Sequence, residues 1–250
     1  MTLVSMVLLL LAGFGGGVLI AVAGGGTFVT FPALVFVGIP ALSANASSAV
    51  ALFPGSLTSA WAYRREIFGI ADIDLRLFGA LSLVGSLIGA MLLLLTPSSI
   101  FAGLVPWLML FATIVFALGN FSTLERLKHV RLGRRASIVA MFLMAVYGGY
   151  FGAGLGFMML ATLTLLGMRD IMAMNGIKLV LATLMSLTSV ITYSLAGIVD
   201  WRAVVPVLLG ALAGGYLGAH GARRLNPALL KGFIVVLGAL LTVFFFWHGA

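Results

Sequence analysis

Apolar positions run in ten blocks along the chain, at about 4–22, 27–40, 43–62, 76–96, 99–120, 136–152, 157–168, 171–196, 203–221 and 228–248. A straight helix rises 1.5 Å per residue and needs about 20 apolar residues to cross the hydrocarbon core, so most blocks read as membrane helices. The blocks 27–40 and 157–168 are too short for a full crossing and read as half-helices or re-entrant pieces. Each follows a glycine-dense break, formed by Gly24, Gly25 and Gly26 in one case and by Gly152, Gly154 and Gly156 in the other. Glycine admits positive φ and close backbone approach, so these clusters end a helix inside the membrane. Backbone freed there must be buried in protein or line a polar cavity, and paired breaks therefore point to the place where a solute sits.

The two breaks belong to a longer duplication. A shift of about 129 residues, give or take one, brings Gly25 onto Gly154, Phe28 onto Phe157, Gly38 onto Gly167, Asn45 onto Asn175, and Gly69, Ile70 and Asp72 onto Gly197, Ile198 and Asp200. Chance apolar similarity accounts for the glycines alone, but not for Asn and Asp falling into register. The chain divides into a first membrane repeat (1–120), a basic linker (121–135) and a second repeat (136–250). The linker carries Glu125, Arg126, Lys128, His129, Arg131, Arg134 and Arg135. If every block crosses, each repeat has five segments and all Lys and Arg except Lys178 and Arg202 fall on one face. If the short blocks only dip in and out, the basic residues spread over both faces. The positive-inside rule favours five. An odd number inverts the second repeat, which predicts an all-α polytopic membrane protein of two inverted-topology repeats, with both termini outside the cytoplasm.

Composition narrows the function classes. With 62% hydrophobic and only 8% charged residues, nearly every helix-length block is apolar enough for lipid, which excludes an ordinary soluble domain. Met1–Ala23 has no Lys or Arg ahead of its apolar run and reads as a retained membrane segment rather than a secretory signal. The net charge of +8 resides in short loops between blocks, where it sets topology rather than binding nucleic acid. Zero cysteines remove disulfides and thiol chemistry, and His129, His220 and His248 have no metal-binding spacing. No nucleophile elbow, phosphate loop or zinc motif is present, so neither an enzyme nor a bound cofactor is expected.

The candidate chemistry is anion recognition. A half-helix that begins inside the membrane points unpaired N–H groups and a positive dipole end toward its neighbour. Asn45, Ser47 and Ser48 lie near the start of one helix, and Asn175 with Lys178 near the start of its counterpart. Amides and hydroxyls can both donate and accept, and Lys adds a point charge, a combination suited to an oxyanion. Each Asn has the alternative of capping its helix. Lys178 is the ionisable residue set well inside an apolar block; a buried cation needs a partner, which is a substrate anion or, by snorkelling, the interface beside Asp170. A proton-coupling role is the third reading. The spaced pairs Gly85/Gly89 and Gly214/Gly218 read as helix-packing contacts. Asp72 and Asp200 read as helix caps or loop orienters, and Arg64, Arg65, Arg223 and Arg224 as anchors of cytoplasmic ends. Trp61, Trp201 and Trp247 fall near block ends, as interfacial belt residues do.

The run AGGGTFVTFPALVFVGIPALSANAS, the arginines at 64 and 65, and then GGYFGAGLGFMML, NGIK and SLAGIVDW together resemble the TauE/SafE family of bacterial membrane permeases, the sulfite exporters. The similarity covers nearly the whole chain in both halves. Many members carry Lys directly after the first-repeat Asn, where this chain has Ala46. The resemblance implies a secondary transporter in the cytoplasmic membrane that moves small sulfur oxyanions such as sulfite, sulfoacetate or related organosulfonates. It places Gly24, Gly25, Gly26 and Asn45 in one half-site and Gly152, Gly154, Asn175 and Lys178 in the other. Alternating access, with one half rocking against the other, would be driven by the substrate gradient, by protons or by sodium held at exposed carbonyls, in a monomer or a homo-oligomer. The rival classes are an anion channel and a non-transporting membrane scaffold or assembly protein.

Overall fold

The computed structural model describes residues 2–22, 24–64, 74–118, 133–221 and 227–249. Arg65, Asp72, Arg223, Arg224 and most of the basic linker lie outside them. All the described secondary structure is helical: α1 (Leu3–Val22), α2 (Thr27–Phe36), α3 (Ala41–Ala62), α4 (Leu75–Leu95), α5 (Ser98–Leu118), α6 (Arg134–Tyr150), α7 (Leu155–Leu165), α8 (Ile171–Leu195), α9 (Trp201–Gly221) and α10 (Pro227–His248). Five of these, α1, α4, α5, α8 and α9, contain stretches long and apolar enough to cross a bilayer. The short helices α2 and α7 have 10 and 11 residues, too few for a crossing. Leu, Val and Ile side chains of α1, α4 and α9 are exposed in quantity, which water would not tolerate and lipid requires.

Local chemistry sets the helix ends. Asp170 accepts from Met172 N–H (2.9 Å) and Ala173 N–H, and Asp200 from Arg202 N–H (3.0 Å) and Ala203 N–H, so each caps the helix that follows. Asp200 thus fills its expected role, while the corresponding cap on α4 is Asp74, which accepts from Leu77 N–H at 3.1 Å. The half-helices α2 and α7 end in the same way. Gly38 (φ +91°) and Gly167 (φ +96°) take the left-handed conformation, and Ile39 N–H and Met168 N–H reach back to Leu34 O (3.2 Å) and Leu163 O (3.1 Å). The breaks also repeat: Gly24 (φ +76°) donates to Leu19 O at 2.7 Å, and Gly152 (φ +75°) to Tyr147 O at 3.1 Å. At the breaks the backbones therefore match Gly24 with Gly152, one residue away from the Gly25/Gly154 match, because these bonds rather than glycine counts set the register.

Packing interlocks the two sets of five helices. α1 packs mainly on α9 and α6 on α4; α3 also lies on α9 and α8 on α4; α3 faces α8, and α5 faces α10. Exchanging α1–α5 with α6–α10 maps this pattern onto itself. The glycine pairs allow the close crossings. A β-carbon at Gly89 would lie 2.0 Å from Val146 O of α6, and one at Gly214 would lie 2.0 Å from Phe14 O of α1. One core joins Phe78 of α4 to the methionine-rich faces of α6, α7 and α8, and a larger one draws on α1, α2, α3, α5, α9 and α10.

The contacts also give the sense of each helix. Along α1 and α9 the neighbours advance together, from Leu10 beside Gly210 to Val18 beside Gly218, so these helices run parallel. Gly85 beside Ala145 and Gly89 beside Tyr150 show the same for α4 and α6. Trp107 against Phe246 and Thr113 against Gly238 make α5 and α10 antiparallel. Ser47 near the start of α3 meets Asp200 at the start of α9, while Thr96 after α4 meets Tyr150 at the end of α6. Asn45 of α3 meets Tyr150 as well, so these four ends share one end of the bundle with Arg202. Arg64, Arg76, Arg134, Arg135 and Arg169 flank helix ends at the opposite end.

Candidate functional site: a cavity between the two helix breaks

The breaks meet inside the bundle. Gly24 lies so close to Gly156 that a β-carbon on Gly24 would stand 2.6 Å from the Gly156 Cα. Beside this contact is a cavity of about 90 Å³, lined by both breaks and by the facing sides of α3 and α8. Of the residues expected at a site, Gly24, Gly26, Gly152 and Lys178 line it. Gly25, Asn45, Ser47, Ser48, Gly154 and Asn175 are not part of that lining. The reasons differ from residue to residue.

Asn45 is buried, and its Nδ2 donates to Tyr150 O at 2.9 Å. Tyr193 Oη donates to Gly149 O, and Tyr147 Oη to Ala153 O at 2.7 Å. The last carbonyls of an α-helix have no partner within the helix, and these side chains supply donors to Gly149 O and Tyr150 O at the end of α6 and to Ala153 O in the break that follows. Asn45 of α3 therefore braces the break that follows α6. Neither Asn caps its own helix, since α3 starts after Pro40 and α8 after Asp170. Ser47 Oγ accepts from Asp200 N–H at 2.9 Å, and Ser48 Oγ lies 2.6 Å from Thr30 Oγ1. Gly25 is buried against Phe116, and Gly154 (φ +77°) lies near the Ala112 backbone. Asn175 is half-buried on the second turn of α8.

Lys178 is 1% exposed, and its Nζ has no hydrogen-bond partner among the described residues. Asp170 does not neutralise it, because that carboxylate is exposed at the helix end and spends an oxygen on the cap. An unpaired ammonium inside a membrane protein costs several kcal/mol unless an anion or water meets it. Lys178 lines the cavity between the breaks. Arg64, by contrast, lies 4.2 Å over the Trp61 ring and donates to Trp61 O at 2.7 Å, which suits an anchor at the end of α3.

Four hydroxyl-bearing residues outside the expected set also line the cavity: Thr27, Ser56, Ser186 and Ser189. A signal for three of them was present. The tetrapeptide Ser-Leu-Thr-Ser occurs at 56–59 and again at 186–189, with the same offset that relates Asn45 to Asn175. Other lining pairs follow that offset, Ala49 with Leu179 and Leu52 with Ala182, so α3 and α8 present matching positions to the cavity.

An all-helical, multi-pass membrane protein whose broken helices wall a small cavity with a buried lysine beside it has the architecture of a membrane transporter. The chain belongs to the TauE/SafE family: the family model described as "Sulfite exporter TauE/SafE" matches residues 9–245. It is similar to a "Probable membrane transporter protein" of Haemophilus influenzae, 28% identical over 95% of this chain and 92% of that relative. It is similar to the "Probable membrane transporter protein YfcA" of Escherichia coli K12, 27% identical over 93% of this chain and 85% of the relative. The "Probable membrane transporter protein ORF9" of a Sinorhizobium species is 26% identical over 94% of this chain and 90% of its own length. No solved structure matches the chain.

Proposed function

We propose that the protein is a secondary transporter that carries a small sulfur oxyanion through the cavity between its helix breaks. The observation that carries this reading is Lys178, a buried cation in the wall of that cavity with no hydrogen-bond partner among the described residues. The size of the space supports a small solute, since sites for drug-sized ligands run to several hundred Å³. The charge supports a monoanion: one ammonium balances hydrogensulfite better than the doubly charged sulfoacetate. The family name supplies the sulfur chemistry.

The two sets of five helices act as inverted repeats in this reading. Support comes from the parallel pairs α1/α9 and α4/α6 together with the gathering of the α6 end and the α9 start at one end of the bundle. The arginine-rich end is cytoplasmic by the positive-inside rule, which leaves both termini on the outer side of a bacterial cytoplasmic membrane. Because α4 packs with α6 and α8, and α9 with α1 and α3, the bodies that rock are not the two halves of the sequence. They are α1, α2, α3 and α9 against α6, α7, α8 and α4, with the cavity at the α3–α8 contact between them.

Exchange in proteoliposomes tests this reading. Purified protein is expected to give saturable uptake of labelled sulfite that rises when unlabelled sulfite is present inside, with sulfoacetate a weaker competitor. Imposed proton and sodium gradients identify the driving ion. Flux that neither saturates nor responds to internal sulfite would indicate a channel, and absence of protein-dependent flux for any oxyanion would favour the scaffold reading.

A further inference from the structure

The repeated Ser-Leu-Thr-Ser places matching hydroxyls on two helices that face each other. Ser56 on α3 and Ser186 on α8 both line the cavity that Lys178 lines. Ser186 Oγ makes no hydrogen bond to a described residue, and Ser56 Oγ makes only a long one, 3.3 Å to Leu52 O of its own helix. Serines inside apolar helices ordinarily return their hydroxyl to the preceding turn. Ser59, in the same motif, does so at 2.8 Å to Gly55 O, is fully buried, and does not line the cavity. The equivalent of Lys178 in the first repeat is Ser48, occupied by Thr30. Charge therefore enters the cavity from one repeat, whereas hydroxyls enter it from both.

We infer that Ser56 and Ser186 are a paired hydroxyl clamp, one from each repeat, that donates to two oxygens of the anion whose charge Lys178 balances. An oxyanion can accept on both sides of its central atom, so the pair selects for it, whereas Lys178 attracts any small anion. The inference rests on the transport reading above, and its test separates the two. Apparent Km and Vmax for sulfite exchange are measured in proteoliposomes for the parent, Ser56→Ala, Ser186→Ala and the double variant. Ser59→Ala reports the cost of deleting a hydroxyl from the motif outside the cavity.

A hydrogen bond to a charged group is strong enough that losing either clamp hydroxyl is expected to raise Km about tenfold with Vmax largely kept. The double variant is expected to be weaker than either single one, and Ser59→Ala to match the parent. Sulfite is also expected to lose its advantage over chloride as competitor in the double variant. Both single variants within twofold of a parent that exchanges sulfite in a Lys178-dependent way would overturn the clamp and leave the transport reading standing. A parent with no saturable sulfite exchange would overturn both.

Discussion

Replacing Lys178 with Met is expected to abolish saturable sulfite exchange while raising the thermal stability of the protein. The two effects have one cause. The ammonium is buried, without a protein partner among the described residues, and therefore destabilises the unloaded protein. Met keeps much of the side-chain volume and removes the charge. Truncating one member of a buried charged contact costs about 2–5 kcal/mol of binding, and each 1.4 kcal/mol is about tenfold, so the loss of affinity is at least about tenfold. A Lys held for structural reasons would give the opposite stability change. Thermal unfolding in detergent, with and without sulfite, measures both: the parent should be stabilised by sulfite and the variant should not.

Gly24→Ala is expected to be the most damaging methyl addition at a break. Gly24 combines φ +76° with a would-be β-carbon 2.6 Å from the Gly156 Cα, a backbone atom that cannot rotate away. The left-handed conformation costs a non-glycine residue about 1–2 kcal/mol. Forcing extra volume into packed structure costs about 1–3 kcal/mol more. Gly38→Ala separates the two contributions, since Gly38 has φ +91° but nothing within 4 Å of its β-position. Gly38→Ala should lower the unfolding temperature modestly and leave sulfite exchange intact. Gly24→Ala should lower it further and disturb exchange, because the methyl pushes apart the two breaks that wall the cavity. Equal effects of the two substitutions would contradict the close contact of the breaks.

Much of the architecture was legible in hydrophobic pattern, and the reasons are physical. A bilayer requires long apolar runs, so helix blocks declare themselves, and a helix broken inside it requires glycine, so the half-helices α2 and α7 did too. Asp200 was readable as a cap because an acid just ahead of an apolar run has few other uses. Asn45 was not readable in the same way. Its amide is claimed by the carbonyl of Tyr150, 105 residues away, and nothing local to Asn45 announces that contact. Ser56 and Ser186 are not legible by residue type, because a serine inside an apolar helix normally bonds back to its own backbone. Only the repeat offset distinguishes them. The interlocking of α4 and α9 with the opposite halves depends on which small-residue faces fit together, and periodicity within one helix does not encode its partner.

Anomalous diffraction from crystals soaked in selenite, a heavier pyramidal analogue of sulfite, tests most directly whether the cavity between the breaks is the anion site. A selenium peak is expected within hydrogen-bonding reach of Lys178 Nζ, between Ser56 and Ser186, displaced by excess sulfite and absent from Lys178→Met crystals. A sulfite-displaceable peak elsewhere in the bundle, with this cavity empty, would contradict it.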